Sequence, residues 1–126
     1  MENILAKICN TKKDEISLSG PTKITEVNEN SFKDIILQPS DFGFKPFSIQ
    51  KIQINSKESS IKMFKESISG QYEFGTQIIA ANAGAVFYIL DLVNSLKEGA
   101  QLAYEIIKSG LAVEKLEEYT KFSNQK

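Results

Sequence analysis

The segment Thr76 to Asn94 is apolar on nearly every side of a helix, and it sets the terms for the rest of the chain. Such a helix has no solvated face, so it has to be surrounded by protein. Its most apolar stretch, Ile78 to Val93, carries Asn82 and Asp91 and falls short of the roughly 18 to 20 apolar residues that a membrane span needs. A buried helix is therefore expected, with the remaining elements as its cover. With 126 residues, 41% hydrophobic and 25% charged, the chain can build one ordinary core.

The cover is legible on both sides of that segment. Asn55 followed by Glu58 reads as a capping box, and Ile61, Phe64 and Ile68 then recur along one face until Gly70, which predicts an amphipathic surface helix. Ser95 and Glu98 form a second capping box, after which Leu102, Ala103 and Ile106 repeat until Gly110. Val113, Leu116, Tyr119 and Phe122 predict a last helix, with Tyr104, Tyr119 and Phe122 in the core. Upstream, Lys23 to Val27 and Phe32 to Gln38 flank the turn cluster Asn28 to Ser31, the pattern of a β-hairpin punctuated by Pro21 and Pro39. Pro39 to Pro46 reads as an ordered loop. At the start, Ile4, Leu5 and Ile8 have helical spacing, which predicts a short amphipathic helix over Glu2 to Cys9 with Cys9 on its apolar side.

Lysine and arginine number 15 against 16 acidic residues, a net charge of -1, so neither nucleic acid nor an anionic membrane is an expected partner. The single cysteine, Cys9, has no internal disulfide partner, and no charged segment leads into an apolar run as in a signal peptide; a cytoplasmic address is expected. Histidine is absent from the sequence, which removes the commonest general base and transition-metal ligand. Chemistry would have to rest on carboxylates, hydroxyls or backbone. The adjacent pair Asp14 and Glu15 offers hard oxygen ligands suited to magnesium shared with substrate phosphates, although a solvated acidic pair after Lys12 and Lys13 is the commoner outcome for such a pattern. Ser17 to Thr22 has small residues able to present N–H groups to a phosphate, but not the glycine spacing of a phosphate loop, so a plain turn is the default. Asn82 is expected to be a hydrogen-bonded packing element rather than a ligand, and Asp91 to face solvent or a partner.

Four stretches taken in order carry a family resemblance: Asp14-Glu15-Ile16-Ser17 with Gly20-Pro21-Thr22; Pro39-Ser40-Asp41-Phe42-Gly43-Phe44; Asn82-Ala83-Gly84-Ala85; and Lys97-Glu98-Gly99-Ala100 through Ser109-Gly110-Leu111-Ala112. Over about residues 14–120 they resemble the C-terminal third of the anthranilate phosphoribosyltransferases. The pyrimidine nucleoside phosphorylases share the architecture and match the Asp-Glu and Pro-x-Asp-Phe-Gly segments less well. The resemblance implies an α/β fold, the C-terminal portion of the phosphoribosyltransferase/nucleoside phosphorylase catalytic domain, here a β-hairpin followed by several packed helices. Residues 1–126 would form one segment of that domain, without the family's N-terminal helical domain and phosphate loop.

The implied reaction is attack of the anthranilate amine on C1 of phosphoribosyl pyrophosphate with loss of pyrophosphate, a step of tryptophan biosynthesis. In the family's pattern Asp14 and Glu15 hold Mg2+ beside the pyrophosphate. No residue of this chain takes a catalytic position, so the expectation is inactivity alone and a need for the N-terminal half or for self-association. The alternative expectation is a non-catalytic remnant acting as a binding or assembly module. Two features motivate it: the missing histidines, and a family strand before the Asp-Glu pair that is expected to be absent, since only Asn10 to Lys13 separate the predicted helix from the pair. Ser56-Lys57-Glu58-Ser59 also stands where the family has acidic and asparagine signals.

Overall fold

A computed structural model describes residues 5–9 and 15–125. The described elements are β1 (Leu5–Cys9), β2 (Thr22–Asn28), β3 (Ser31–Leu37), two short 3-10 turns at Pro39–Phe42 and Ile49–Ile52, and the helices α1 (Lys57–Ile68), α2 (Glu73–Ile89), α3 (Leu96–Lys108) and α4 (Leu111–Ser123). The fold is α/β, a small antiparallel sheet in the order β1-β2-β3 laid against the helices.

Asn28 pairs with Ser31, so Glu29 and Asn30 alone make the hairpin turn. Alternation along β3 turns Leu37 into the core, whereas Phe32 and Ile36, on the opposite face, are 80% and 67% exposed. Pro39–Phe42 forms a tight turn that buries Phe42, consistent with the ordered loop expected there.

The helix expected over Glu2 to Cys9 is corrected. Leu5–Cys9 is a strand, with Leu5 opposite Val27 and Cys9 opposite Lys23, while Glu2 to Ile4 lie outside the described residues. A short apolar run has no periodicity that separates helix from strand, and so short a helix is unstable alone. The open edge of β2 decides the matter, because its backbone N–H and C=O groups need partners. A strand is therefore present before the Asp-Glu pair, and residues 10–14 lie outside the described residues.

The helices form by the predicted periodicity, with shifts in detail. The cap of α1 is one residue later than expected: Ser59 N–H donates to Ser56 Oγ at 3.1 Å and Ser56 N–H to Ser59 Oγ at 3.2 Å, so Asn55 and Glu58 are not the box. At α3 the Ser95 hydroxyl accepts from Glu98 N–H at 3.1 Å, and the Glu98 carboxylate accepts from Asn94 N–H, one residue before the expected reciprocal donor. Gly110, at φ 89, ends α3 and opens α4.

α2 is shorter than its apolar sequence and only half enclosed. Gly75, Thr76, Ala80, Ala81, Gly84 and Ala85 make its buried stripe, whereas Val86 is exposed, as are Leu90 and Leu92 beyond its end. Small residues, not the large ones, form the contact because α3 crosses at backbone distance. A Cβ on Gly84 would lie 2.3 Å from the Ala100 nitrogen, and one on Gly99 would lie 2.3 Å from the Gly84 oxygen. Ala100, Ala103 and Ile107 are the buried stripe of α3, with Leu102 turned outward. In α4, Tyr119 and Phe122 are exposed rather than in the core: no residue of that helix is fully buried, and Ala112 is the one that packs against the second core cluster.

The main core joins Ile16, Leu18, Ile24, Leu37, Phe42, Ala81, Ala85 and Ala100, that is, the segment before the hairpin, the sheet, the Pro39–Phe42 turn and the α2/α3 pair. Among the described residues no helix is long and apolar enough to cross a membrane.

Candidate functional site

The segment from Glu15 to Pro21 is neither helix nor strand, so each of its buried backbone groups needs a partner from elsewhere. Ile16 and Leu18 are fully buried and hold the segment down by their side chains. The backbone is tied at the same points. Ile16 N–H donates to Asn82 Oδ1 at 2.9 Å, and Asn82 Nδ2 donates to the Ile16 carbonyl at 3.1 Å. Phe47 N–H donates to the Leu18 carbonyl at 3.1 Å, and Ser17 N–H to Thr22 Oγ1 at 3.2 Å. Glu15, just before the first anchor, and Ser19, between Leu18 and Thr22, are exposed.

Of the predicted magnesium ligands, Glu15 stands on the surface directly before the pinned Ile16, and Asp14 lies outside the described residues. Among the described residues no three histidine, cysteine, aspartate or glutamate side chains come together. Exposed carboxylate oxygens on irregular backbone fit magnesium all the same, because that ion commonly takes only one or two protein carboxylates and fills its octahedron with water and phosphate oxygens. The alternative phosphate cradle at Ser17 to Thr22 is a turn: the Ser17 and Ser19 N–H groups are already engaged, by Thr22 Oγ1 and by Ser17 Oγ respectively. Asn82 is the hydrogen-bonded packing element expected of it, and Asp91, at φ 56, is exposed.

Sequence reasoning missed a second polar cluster. Glu73 accepts hydrogen bonds from Tyr104 Oη at 2.9 Å, Lys108 Nζ at 3.1 Å and Gln77 Nε2 at 2.9 Å, and Lys108 also donates to the Gly70 carbonyl at 2.7 Å. Tyr104, expected simply in the core, thus buries part of its ring and spends its hydroxyl on this carboxylate. The available signal was the i,i+4 spacing of Glu73 with Gln77 and of Tyr104 with Lys108, but the pairing of the two helices is not local information. The cluster fastens the start of α2 to the end of α3. Burial would raise the Glu73 pKa, yet the hydrogen bonds from Gln77, Tyr104 and Lys108 outweigh it and hold the carboxyl below its ordinary value.

A lowered folded-state pKa means that the stabilisation is present above the unfolded value and is lost as the pH falls through the folded one. Glu73→Gln should therefore cost stability near neutral pH, and the gap to the parent should close below about pH 4.3. Because the Glu73 side chain is 45% exposed, water screens the pair, and a loss of only about 0.5–1 kcal/mol is expected. Urea unfolding at pH 7 and pH 3 checks it; a gap independent of pH would refute the assignment.

Residues 6–113 match the family model described as the glycosyl transferase family, a/b domain. The chain is 38% identical over 111 residues to the anthranilate phosphoribosyltransferase of Petrotoga mobilis, covering 88% of this chain and 32% of that protein. In three dimensions it is similar to the anthranilate phosphoribosyltransferase of Thermus thermophilus, with a TM-score of 0.77 at 25% identity over 96% of this chain and 35% of that one. It is also similar to the Saccharomyces cerevisiae enzyme in complex with PRPP and Mg, with a TM-score of 0.68 at 25% identity over 92% of this chain and 33% of that one. The chain spans about a third of the length of the relatives it matches.

Proposed function

The chain belongs to the glycosyl transferase family by its a/b domain, and from that premise we propose that it supplies the C-terminal third of an anthranilate phosphoribosyltransferase. The observation that carries the reading is the match of residues 6–113, supported by 38% identity over 111 residues to an enzyme of that name. The substrates proposed are PRPP and anthranilate, and residues 1–126 are taken as one segment of the catalytic domain, active once the remainder is present.

Displacing pyrophosphate from C1 calls for charge neutralisation at the leaving group and for two substrates held in line, more than for covalent help. Asp14 and Glu15 are the proposed ligands of Mg2+, which when bound would supply positive charge beside the phosphate oxygens. What this chain does for the step is to hold Glu15 on an anchored backbone: Ile16 and Leu18 fix the segment from inside, and Thr22 and Phe47 fix its course toward the sheet. The exposed apolar residues Phe32, Ile36, Val86 and Leu90 are surface for the rest of the domain, or for a second copy, to cover. The reading as a non-catalytic remnant is weakened in one of its two motives, because a strand before the Asp-Glu pair is present.

The test is reconstitution. Mixed with a polypeptide carrying the family's N-terminal helical domain and phosphate loop, the chain should form phosphoribosyl anthranilate, and alone it should not. No product with both pieces folded would defeat the proposal, as would turnover by the isolated chain at an ordinary enzyme's rate.

A further inference from the structure

We infer that Asn82 is a positioning residue for the Glu15 carboxylate, a role that rests on the reading of Glu15 as a magnesium ligand. The side-chain amide of Asn82 takes the place of a neighbouring strand. Its Oδ1 accepts from Ile16 N–H at 2.9 Å, and its Nδ2 donates to the Ile16 carbonyl at 3.1 Å and to the Ile78 carbonyl at 3.0 Å. Both amide hydrogens and the oxygen are used, so the orientation of the group is determined: the reversed amide would set its NH2 against Ile16 N–H and leave two carbonyls unpaired.

The bond to Ile78 lies within α2 and fixes the Asn82 side chain to its own helix, so the grip on Ile16 is delivered from a rigid element. Ile16 is in turn fully buried in the main core. Position and direction of the chain are therefore set one residue from Glu15, with the free side chain of Glu15 as the first group past the clamp. A metal ligand held on otherwise irregular backbone depends on such support, because any drift of its Cα is a drift of its oxygens.

Manganese serves as the probe, read as paramagnetic broadening of the Ile16 and Ser17 amide resonances in a titration of the full chain. Asn82→Leu should weaken Mn2+ binding about 10- to 100-fold with the helical circular dichroism retained. Thr76→Val removes a buried hydrogen bond from the same helix to the Ser67 carbonyl, away from Glu15. It should lower the melting temperature and leave Mn2+ affinity within about twofold, since it touches stability alone. Wild-type affinity in Asn82→Leu, or an equal loss in Thr76→Val, overturns the inference.

Asn82→Asp covers the case in which the leucine variant does not fold. It keeps an acceptor for Ile16 N–H, loses both donors and adds negative charge. Positioning predicts weaker Mn2+ binding in spite of the added charge; equal or tighter binding rejects it. Glu15→Gln separates the two layers of the argument. If it binds Mn2+ as the parent does, or if the parent shows no broadening, the metal reading itself fails and takes Asn82 with it. Loss in Glu15→Gln beside unchanged Asn82 variants removes only the positioning role.

Discussion

Gly84→Ala lowers the stability of the fold by about 3 kcal/mol, the upper end of the range for an overpacked core. The new methyl would meet the Ala100 nitrogen at 2.3 Å and the Gly99 carbonyl carbon at 2.5 Å. Both neighbours are backbone, so no rotamer change relieves the clash, and the only escape is to part α2 from α3. That parting would in turn loosen Ala81, Ala85 and Ala100, which belong to the main core. Gly20→Ala is the control, since a Cβ there meets nothing within 4 Å. Urea midpoints at constant slope give the comparison. Equal midpoints for Gly84→Ala and the parent would mean that the helices are not at backbone contact.

Phe42→Ala is expected to cost about 3–5 kcal/mol, the usual loss for truncating a buried phenylalanine. The ring is 2% exposed and shares the main core with Ile16, Leu18 and Ala100. Its loss is a large part of the roughly 5–15 kcal/mol that holds a domain of this kind together. The truncation should also reach the candidate site, because the cavity opens beside the two side chains that anchor the segment after Glu15. Amide hydrogen exchange at Ser17 should accelerate by more than at the far end of the molecule, in α4. A loss under about 1 kcal/mol, or uniform exchange, would show that Phe42 is not the joint between the turn and that segment.

Much of this was readable in the amino-acid pattern, for a physical reason. The hairpin and the four helices rest on alternation, helical spacing and stop residues such as Gly110, all of them local. Asn82 was readable as a packing group because an amide within an apolar helix must find partners. The failures fall where local pattern carries no information. Leu5–Cys9 could be strand or helix until the edge of β2 was in place. Tyr119 and Phe122 repeat correctly for a helix, but spacing does not say whether a face is covered. Ser56, Ser59 and Glu58 stand close together, so hydroxyl geometry rather than sequence chose the cap. The Glu73 cluster joins residues of α2 and α3 that only the helix crossing brings together. Of the carboxylate pair, Glu15 stands on the surface before the buried Ile16, a burial that the local pattern did not announce, while its neighbour Asp14 lies outside the described residues.

Because Gly84 and Gly99 let two main chains touch with no side chains between them, the crossing of α2 and α3 has no soft layer to shear. Asn82 hangs from one of these helices, and the Pro39–Phe42 turn rests on the other. The clamp on Ile16 and that turn are thus carried by a single piece. Movement of the Ile16 clamp relative to that turn therefore cannot come from sliding α2 past α3.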